Sequence, residues 1–243
     1  MQTKLPMDVT AEFLSVTPST MDTARTYQGP TPHWIVALSQ TNARGRRGRS
    51  WLSAEGAFAA TLVLTPNCSP QEAACRSFVA ACALRDALSQ ITTAQLSQKW
   101  PNDVLLNGGK VAGILLEAQG DGTLVNRLSI GIGVNLGHGP TDVRDAAFAP
   151  VGVADTGTTI PPEDFLPILA HSFQEFEFQM HTQGFAPIKT EWTNHAARIG
   201  ETITAKTTNA TQTGTFQGID DSGNLLLLTK SGQAVIPAAD VYF

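Results

Sequence analysis

Four arginines stand within six residues of the segment Ala43-Arg44-Gly45-Arg46-Arg47-Gly48-Arg49-Ser50-Trp51. The glycines between them allow the backbone to fold closely around a ligand and to direct its N–H groups at it. Each guanidinium can hold a pair of anionic oxygens through two hydrogen bonds, which lysine cannot do. The segment predicts a flexible clamp for a phosphate or carboxylate, with a solvated basic loop as an equal alternative at this point. Trp51 offers a flat face for a base or ring, or a core contact.

A second polar group stands at Lys99-Trp100-Pro101-Asn102-Asp103-Val104. It places an ammonium, an amide and a carboxylate directly before an apolar run that predicts a strand, and its proline restricts the local backbone. Several polar side chains at the start of a strand can be aimed into one cleft. The simpler interpretation is a surface Lys–Asp pair beside a buried tryptophan.

The composition restricts the partners of the chain. With 16 basic and 21 acidic residues among 243, the net charge is −5, which argues against broad affinity for DNA or RNA. The positive charge is local, so the expected anionic partner is small. No run approaches the ~20 apolar residues that a membrane-spanning helix needs, and residues 1–6 lack a signal-peptide core. We therefore expect a cytoplasmic protein with no membrane partner.

Cys68, Cys75 and Cys82 recur every seven residues. This spacing places them roughly on one face of a helix and not in a metal-ligand cluster, and their odd number argues against a disulfide framework. Buried, reduced thiols are the expected state of all three.

Apolar patterns in the first four-fifths of the chain predict mixed α and β structure around a central sheet. Ser69-Pro70-Gln71-Glu72 has the form of a capping box and opens a helix that runs to about Gln90. A second helix carries residues 166–180, with Pro167 in its first turn or at a kink, and a shorter helix with Trp192 follows. Strands are expected at 35–38, 60–64, 104–106, 111–117 and 128–136, with a hairpin turn at Asn107-Gly108-Gly109-Lys110.

Beyond Trp192 the pattern changes to short strands at 202–205, 214–219, 225–228 and 234–236, separated by turn residues. These predict a small β-barrel of about 45 residues, which is near the lower limit for independent stability and should dock on the larger domain. The expected domains are residues 1–194 and 195–243.

In this order and spacing, these segments resemble the biotin protein ligases, which activate biotin with ATP and attach it to a lysine of a carrier protein. The resemblance runs through residues 19–22, 40–51, 99–117, 131–135 and the C-terminal β module. It implies an α/β (α+β) fold, with a class II aminoacyl-tRNA synthetase-like catalytic domain on a mixed sheet and a small C-terminal SH3-like β-barrel. Ser19 comes too early for a preceding DNA-binding domain, so a ligase-only form without a DNA partner is expected.

The resemblance also assigns roles to individual residues. The catalytic residues are Lys99 and Arg46. The biotin-binding residues are Ser19, Thr20, Met21, Gln40, Arg44, Gly45, Arg46, Lys99 and Gly113. The residues for ATP or the adenylate are Arg46, Arg49, Trp51, Asn102, Lys110 and Asn135. Ser19 or Thr20 could alternatively begin a helix near 21–25, and Lys110 could lie in solvent.

Two positions depart from the family pattern. Ala43 stands where the loop usually begins with glycine, and Met21 stands where asparagine is frequent. The first change should restrict the backbone slightly, and the second removes a polar contact with the ligand.

The implied chemistry joins the carboxylate of biotin to the α-phosphate of ATP, and the cations must offset the repulsion between these anions. Lys99 would stabilise the charge that builds on the α-phosphate, and the arginine loop would order over the biotinyl-adenylate and exclude water. Mg2+ is expected with ATP, with Asn102 and Asp103 as possible ligands. The expected partner is a biotin carboxyl carrier protein, and the chain would be a monomer or a homodimer.

Other functions remain open at this stage. A lipoate or octanoate ligase shares the fold and the acyl-adenylate chemistry but usually lacks this arginine loop and the SH3-like module. A binding module that grips RNA through the loop, and a regulator that binds biotinyl-adenylate, are non-enzymatic alternatives. Residues 108–111 do not complete a P-loop, and residues 131–136 do not complete a dinucleotide fingerprint.

Overall fold

The computed structural model describes residues 4–141, 143, 148–208 and 210–243. The strands are β1 (Thr10–Leu14), β2 (His33–Ala37), β3 (Phe58–Leu64), β4 (Leu96–Lys99), β5 (Asp103–Leu106), β6 (Gly109–Gly120), β7 (Val125–Val134), β8 (Thr202–Lys206), β9 (Thr211–Ile219), β10 (Leu225–Thr229), β11 (Gly232–Ile236) and β12 (Asp240–Tyr242). The α-helices are α1 (Thr20–Thr26), α2 (Pro70–Ser89), α3 (Pro162–Gln183) and α4 (Phe185–Asn194).

The larger sheet has seven strands in the order β1-β2-β3-β7-β6-β5-β4. Only β1 and β2 run parallel, and the other neighbours pair antiparallel, so the sheet is mixed as expected. Alternate residues of a strand face opposite sides of a sheet. Ile35 and Val63 accordingly pack with Ala24 of α1 on one face. Their neighbours Trp34 and Leu62 join the main core on the other face, with α2 and α3.

Most of the predicted elements are confirmed with small shifts at their ends. The capping box at the start of α2 is present, because Ser69 Oγ accepts from the Glu72 backbone and Glu72 accepts from the Ser69 backbone. The predicted turn shortens to Asn107 and Gly108, whose φ angles of 48° and 82° are left-handed. The strands β1, β4 and β12 were not predicted, and β12 in particular has only three residues, which carry too little periodicity to stand out.

Two details of the predicted local structure differ. Pro167 lies in the second turn of α3, so the first-turn alternative is wrong, and the kink stays a prediction. Cys68 precedes α2, whose N-cap is Ser69, and it is only partly buried, so the three cysteines do not share a helix face. Cys75 and Cys82 are buried on α2, and burial raises the pKa of their thiols to about 11 and about 12 respectively. All three cysteines are free.

The smaller sheet has five antiparallel strands in the order β11-β10-β9-β8-β12 and corresponds to the predicted C-terminal β module. It docks on the larger domain where the indole Nε1 of Trp100 donates to the Gly223 carbonyl at 2.9 Å. Residues 195–197 also cover the β4 edge, because Gln98 N donates to His195 O and Ala197 N donates to Gln98 O, both at 2.8 Å. The division at 194/195 stays a prediction.

Within the described ranges, none of the helices combines the length and apolar character required to span a bilayer.

Candidate active site

One cavity of about 730 Å³ lies where α1, the arginine loop, the floor of the larger sheet and β12 meet. This volume is in the range of ligand-binding clefts. Every residue that the sequence assigned to the site lines this cavity: Ser19, Thr20, Met21, Gln40, Arg44, Gly45, Arg46, Arg49, Trp51, Lys99, Asn102, Lys110, Gly113 and Asn135. Segments separated by up to 116 positions are thus brought together by the sheet order.

A pair of glycines forms part of the cavity floor. Gly113 of β6 and Gly133 of β7 face each other across the strand pair, and the ring of Trp51 lies over both. A Cβ atom at Gly133 would lie 2.8 Å from Cε2 of that indole, and one at Gly113 would lie 3.1 Å from its Cζ3. Trp51 is partly buried at the cavity and is not a core residue. A side chain at Gly133 would displace this ring, and one at Gly113 would force a smaller shift.

We expect Gly133→Ala to displace Trp51, because a rigid indole cannot yield to a new methyl group as a flexible chain can. Gly131→Ala is the matched control on the same strand, since its Cβ would meet the mobile thioether of Met21 at 2.8 Å. The indole N–H resonance of Trp51, assigned with Trp51→Phe, should move in Gly133→Ala and stay nearly unchanged in Gly131→Ala. Equal shifts in both variants would contradict the packing described here.

The N-terminus of α1 forms the neutral polar end of the cavity. Ser19 is the N-cap, because its Oγ accepts from Met21 N at 3.3 Å, which confirms the capping alternative. Thr20 donates its backbone N–H to Gln40 Oε1 at 2.8 Å, and Thr61 Oγ1 donates to Thr20 Oγ1 at 2.8 Å. In the part of the chain that the structure describes, Nε2 of Gln40 makes no hydrogen bond, so this amide can still donate to a ligand.

The two departures from the family pattern are accommodated without strain. Met21 is 4% exposed, and its sulfur packs over Gly131 without a polar contact. Ala43 has no left-handed backbone, and its carbonyl accepts from Trp51 N at 3.0 Å.

In the arginine loop, residues 43–51, three arginines are paired with carboxylates and one is not. Arg44 is paired with Asp22 at 2.7 Å and Glu117 at 3.1 Å. Arg47 and Arg49 are paired with Asp240 of β12 at 3.0 and 2.7 Å. Three of the four arginines are thus paired with carboxylates, while residues 47–50 remain exposed, so the loop is both solvated and held by ion pairs.

Arg46 is the exception in this loop. Within the described residues it makes no ion pair, and its Nη1 donates only to Asn102 Oδ1, at 3.3 Å. Burial and the neighbouring Arg47 lower the pKa of its guanidinium, while Asp103 and Asp240 act in the opposite direction. An anion in the cavity would supply the partner that this cation lacks.

The backbone conformation of the arginine loop explains why glycine stands at position 48 but not why it stands at position 45. Gly48 has a φ of 71°, which favours glycine, and Arg47 before it takes φ 56° in the turn Arg46–Gly48. Gly45 has an extended backbone with φ −105° and room for a side chain, since its Cβ would lie 3.7 Å from the nearest atom.

Lys99 ends β4 as a buried cation, 6% exposed. Its Nζ lies 3.6 Å from Asp103 Oδ2, whereas Lys110 Nζ lies 2.6 Å from Asp103 Oδ1, so the carboxylate binds Lys110 more closely. Phe148 covers the Lys99 ammonium at 4.8 Å from its ring centroid. The interpretation of Lys99 and Asp103 as a surface pair is wrong, because both are buried; Trp100 is buried as predicted.

The burial of Lys99 has a consequence for pH dependence. Loss of solvation lowers the pKa of its ammonium below the usual 10.5, against the opposing effect of Asp103. If the charged form binds an anionic substrate, activity is present at neutral pH and falls as pH rises through this lowered pKa. We expect the alkaline limb of biotin-dependent ATP–pyrophosphate exchange to lie below pH 10.5. Any activity of Lys99→Arg should lack this limb, and a wild-type limb at or above the usual lysine value would contradict the assignment.

The two remaining assigned residues, Lys110 and Asn135, also line the cavity. Lys110 is not free in solvent, because it binds Asp103 and its Nζ lies 5.4 Å from the Trp51 ring centroid. Asn135 donates Nδ2 to Val151 O at 3.0 Å, and its buried Oδ1 has no hydrogen-bond partner among the described residues. A buried acceptor without a donor is costly, which suits a position where a ligand donor can bind.

Sequence reasoning missed the walls contributed by β12. Asp240, Val241 and Tyr242 line the cavity, and Phe148 lines it beside Lys99. These residues belong to no motif, and only the docking of the smaller sheet brings β12 to the cavity. An acidic residue near the end of the chain gives no local signal of a role in a cation-rich site.

Comparisons with known proteins agree with this arrangement. Residues 12–135 match the model of the Biotin/lipoate A/B protein ligase family, and residues 199–243 match that of the Biotin protein ligase C terminal domain. A biotin–[acetyl-CoA-carboxylase] ligase of Paracoccus denitrificans is 51% identical over 86% of this chain and 90% of its own length. The bifunctional ligase/repressor BirA of Bacillus subtilis is 34% identical over 95% of this chain and 72% of its own length.

The solved structures show the same fold. The biotin protein ligase of Aquifex aeolicus in complex with biotin and ATP superposes with a TM-score of 0.83 and 24% identity, covering 96% of this chain and 98% of that one. The chain therefore belongs to the Biotin/lipoate A/B protein ligase family. Within that family it stands among the biotin protein ligases, which confirms the resemblance seen in its motifs.

Proposed function

We propose that this chain activates biotin with ATP to form biotinyl-5′-AMP and then transfers biotin to a lysine of a biotin carboxyl carrier protein. The observation that carries the proposal is the placement of Arg46 and Lys99 in one cavity. Lys99 is buried and Arg46 is partly buried. Arg46 makes no ion pair among the described residues, and Lys99 lies 3.6 Å from Asp103, farther than Lys110 does. Such a pair suits a reaction in which two anions must approach each other.

In the first step, a carboxylate oxygen of biotin attacks the α-phosphorus of ATP, and the bond to the pyrophosphate leaving group breaks. Lys99 stabilises the charge that builds on the α-phosphate, and Arg46 binds the carboxylate and phosphate oxygens. Thr20 and Gln40 lie at the neutral end, where an uncharged ring system with N–H and C=O groups fits their donors and acceptors. Trp51, Lys110 and Asn135 line the side proposed for the adenosine.

In the second step, the amine of the acceptor lysine attacks the acyl carbon of the adenylate, AMP leaves, and the amine loses a proton. The mixed anhydride must be kept from water until the acceptor arrives. The arginine loop is suited to this task, since residues 43–46 and 49–52 line the cavity and the loop is held by ion pairs on both sides.

The residues present do not favour a Mg2+ held by the protein. Asp103 already contacts two ammonium groups, and Asn102 contacts Arg46 and the Ile114 carbonyl. No cluster of three or more His, Cys, Asp or Glu that could bind a metal occurs in the described residues. We infer that Mg2+ enters with the phosphates of ATP, where it offsets their charge.

The proposed carrier substrate is supported by the name of one relative, a biotin–[acetyl-CoA-carboxylase] ligase. The free thiols of Cys68, Cys75 and Cys82 support the proposed cytoplasmic location, since the cytoplasm keeps thiols reduced.

The test is ATP–pyrophosphate exchange by the purified full chain with biotin, lipoate or octanoate as the acid. We expect the rate of exchange with biotin to be at least tenfold higher than the rate with lipoate or octanoate. Biotin should then be transferred to a purified carrier domain. Exchange that prefers lipoate or octanoate would assign the chain to the other branch of the family. A salt-dependent shift of RNA without any exchange would favour the binding module.

A further inference from the structure

Asp240 joins the smaller domain to the arginine loop. Its Oδ2 accepts from Arg49 Nη2 at 2.7 Å and from Arg47 Nη1 at 3.0 Å, so two guanidinium groups share one carboxylate oxygen. Within the described ranges these are the only ion pairs between the arginine loop and the smaller sheet. Asp240 also lines the cavity itself, at the first position of β12.

The two arginines held by Asp240 lie just after Arg46, the arginine assigned to the ligand. Arg47 follows Arg46 directly, and the backbone N–H of Arg49 donates to Arg46 O at 3.3 Å to close the turn. Fixing both side chains therefore restricts the direction in which Arg46 points. Arg46 itself binds neither Asp240 nor another carboxylate among the described residues. Asp240 can hold the loop without occupying the anion position at Arg46.

We infer that Asp240 is a positioning residue that keeps the arginine loop closed over the acyl-adenylate through Arg47 and Arg49. This inference rests on the proposed function and adds the smaller domain to the machinery that retains the intermediate. The alternative is that Asp240 competes with the ATP phosphates for Arg47 and Arg49. Removing the charge of Asp240 would then lower the KM for ATP, whereas a positioning role predicts faster release of the adenylate.

The size of the effect follows from the exposure of the pairs. The side chains of Arg47 and Arg49 are 42% and 65% exposed, and that of Asp240 is 26% exposed. Ion pairs at such positions are screened by water and are individually weak. Removing both with one substitution should raise escape of the intermediate by about threefold to tenfold, and it should not abolish its formation.

The experiment uses the full chain with Asp240→Asn and Asp240→Glu. The matched control is Asp221→Asn, which removes another carboxylate of the smaller domain that pairs with Lys189 of α4 at 2.5 Å, outside the cavity lining. Three quantities are measured for each protein: biotin-dependent pyrophosphate exchange, the rate at which radiolabelled adenylate leaves preloaded enzyme, and biotin labelling of serum albumin as a bystander.

We expect Asp240→Asn to raise adenylate release and bystander labelling about threefold to tenfold, with exchange changed less than twofold. Asp240→Glu and Asp221→Asn should resemble the wild type, and Arg47→Ala should add little in the Asp240→Asn background, because the ion pair between Arg47 and Asp240 is already broken. Release equal to that of Asp221→Asn would overturn the inference, as would a lower KM for ATP without faster release. Absence of biotin-dependent exchange in the wild type would instead overturn the proposed function.

Discussion

Lys99→Ala is expected to lower biotin-dependent ATP–pyrophosphate exchange by about 10²- to 10³-fold. The buried ammonium is the cation best placed to follow the charge on the α-phosphate, since Lys110 is held closely by Asp103 at 2.6 Å and Lys99 lies 3.6 Å from it. The fold should persist, because the substitution removes a desolvated charge and leaves Asp103 paired. Exchange and the far-UV circular dichroism spectrum are measured on the same preparation.

Two further variants separate charge from packing. Lys99→Met keeps an unbranched chain against Phe148 and should be as inactive as Lys99→Ala. Lys230→Ala removes a lysine exposed between β10 and β11 and should behave as the wild type. Exchange by either Lys99 variant within twofold of the wild type would remove Lys99 from the mechanism.

Arg46→Gly is expected to form the adenylate and then lose it to solution. Hydrogen bonds to charged groups contribute about 1.5 to 3 kcal/mol, so the loss should accelerate escape about 10- to 100-fold. Free adenylate acylates any accessible amine, and the result should be biotin on many bystander lysines. The measurement is the ratio of bystander to carrier labelling in a mixture of both proteins.

Arg46→Ala and Arg46→Lys complete this experiment. Glycine also loosens the loop backbone, and alanine removes the guanidinium without that added freedom. Lysine keeps the charge and loses the planar fork, so its bystander labelling should fall between those of Arg46→Ala and the wild type. Strict carrier labelling by Arg46→Gly would exclude Arg46 as the group that retains the intermediate.

The sequence predicted which residues line the cavity, but it did not predict the ion pairs between them. The residue types at 44–49 and 99–103 made an anion clamp one interpretation beside a solvated loop and a surface ion pair, and the resemblance to the biotin protein ligases assigned them to one site. Which of the arginines remains without a partner could not be predicted. Arg44 is bound by Asp22 and Glu117, and Glu117 lies 73 positions away on another strand.

The fold was predictable where a local signal exists. The capping box of α2 and the turn at Asn107 and Gly108 depend on neighbouring residues only, and both are present. The role of β12 depends on how the smaller sheet docks, a property of distant surfaces that no short segment encodes. Asp240 contacts residues 191 and 193 positions away, which is beyond any local pattern.

The anchor between Trp100 and Gly223 also determines how the molecule can be divided. Trp100 adjoins Lys99, and its indole N–H donates to the carbonyl of Gly223 in the smaller domain. Residues 195–197 are hydrogen-bonded to the edge of β4. Fragments made by cutting between the two sheets would therefore lose these contacts beside Lys99. Two separately expressed halves should restore activity on mixing only when the contacts of Trp100 with Gly223 and of residues 195–197 with β4 form again.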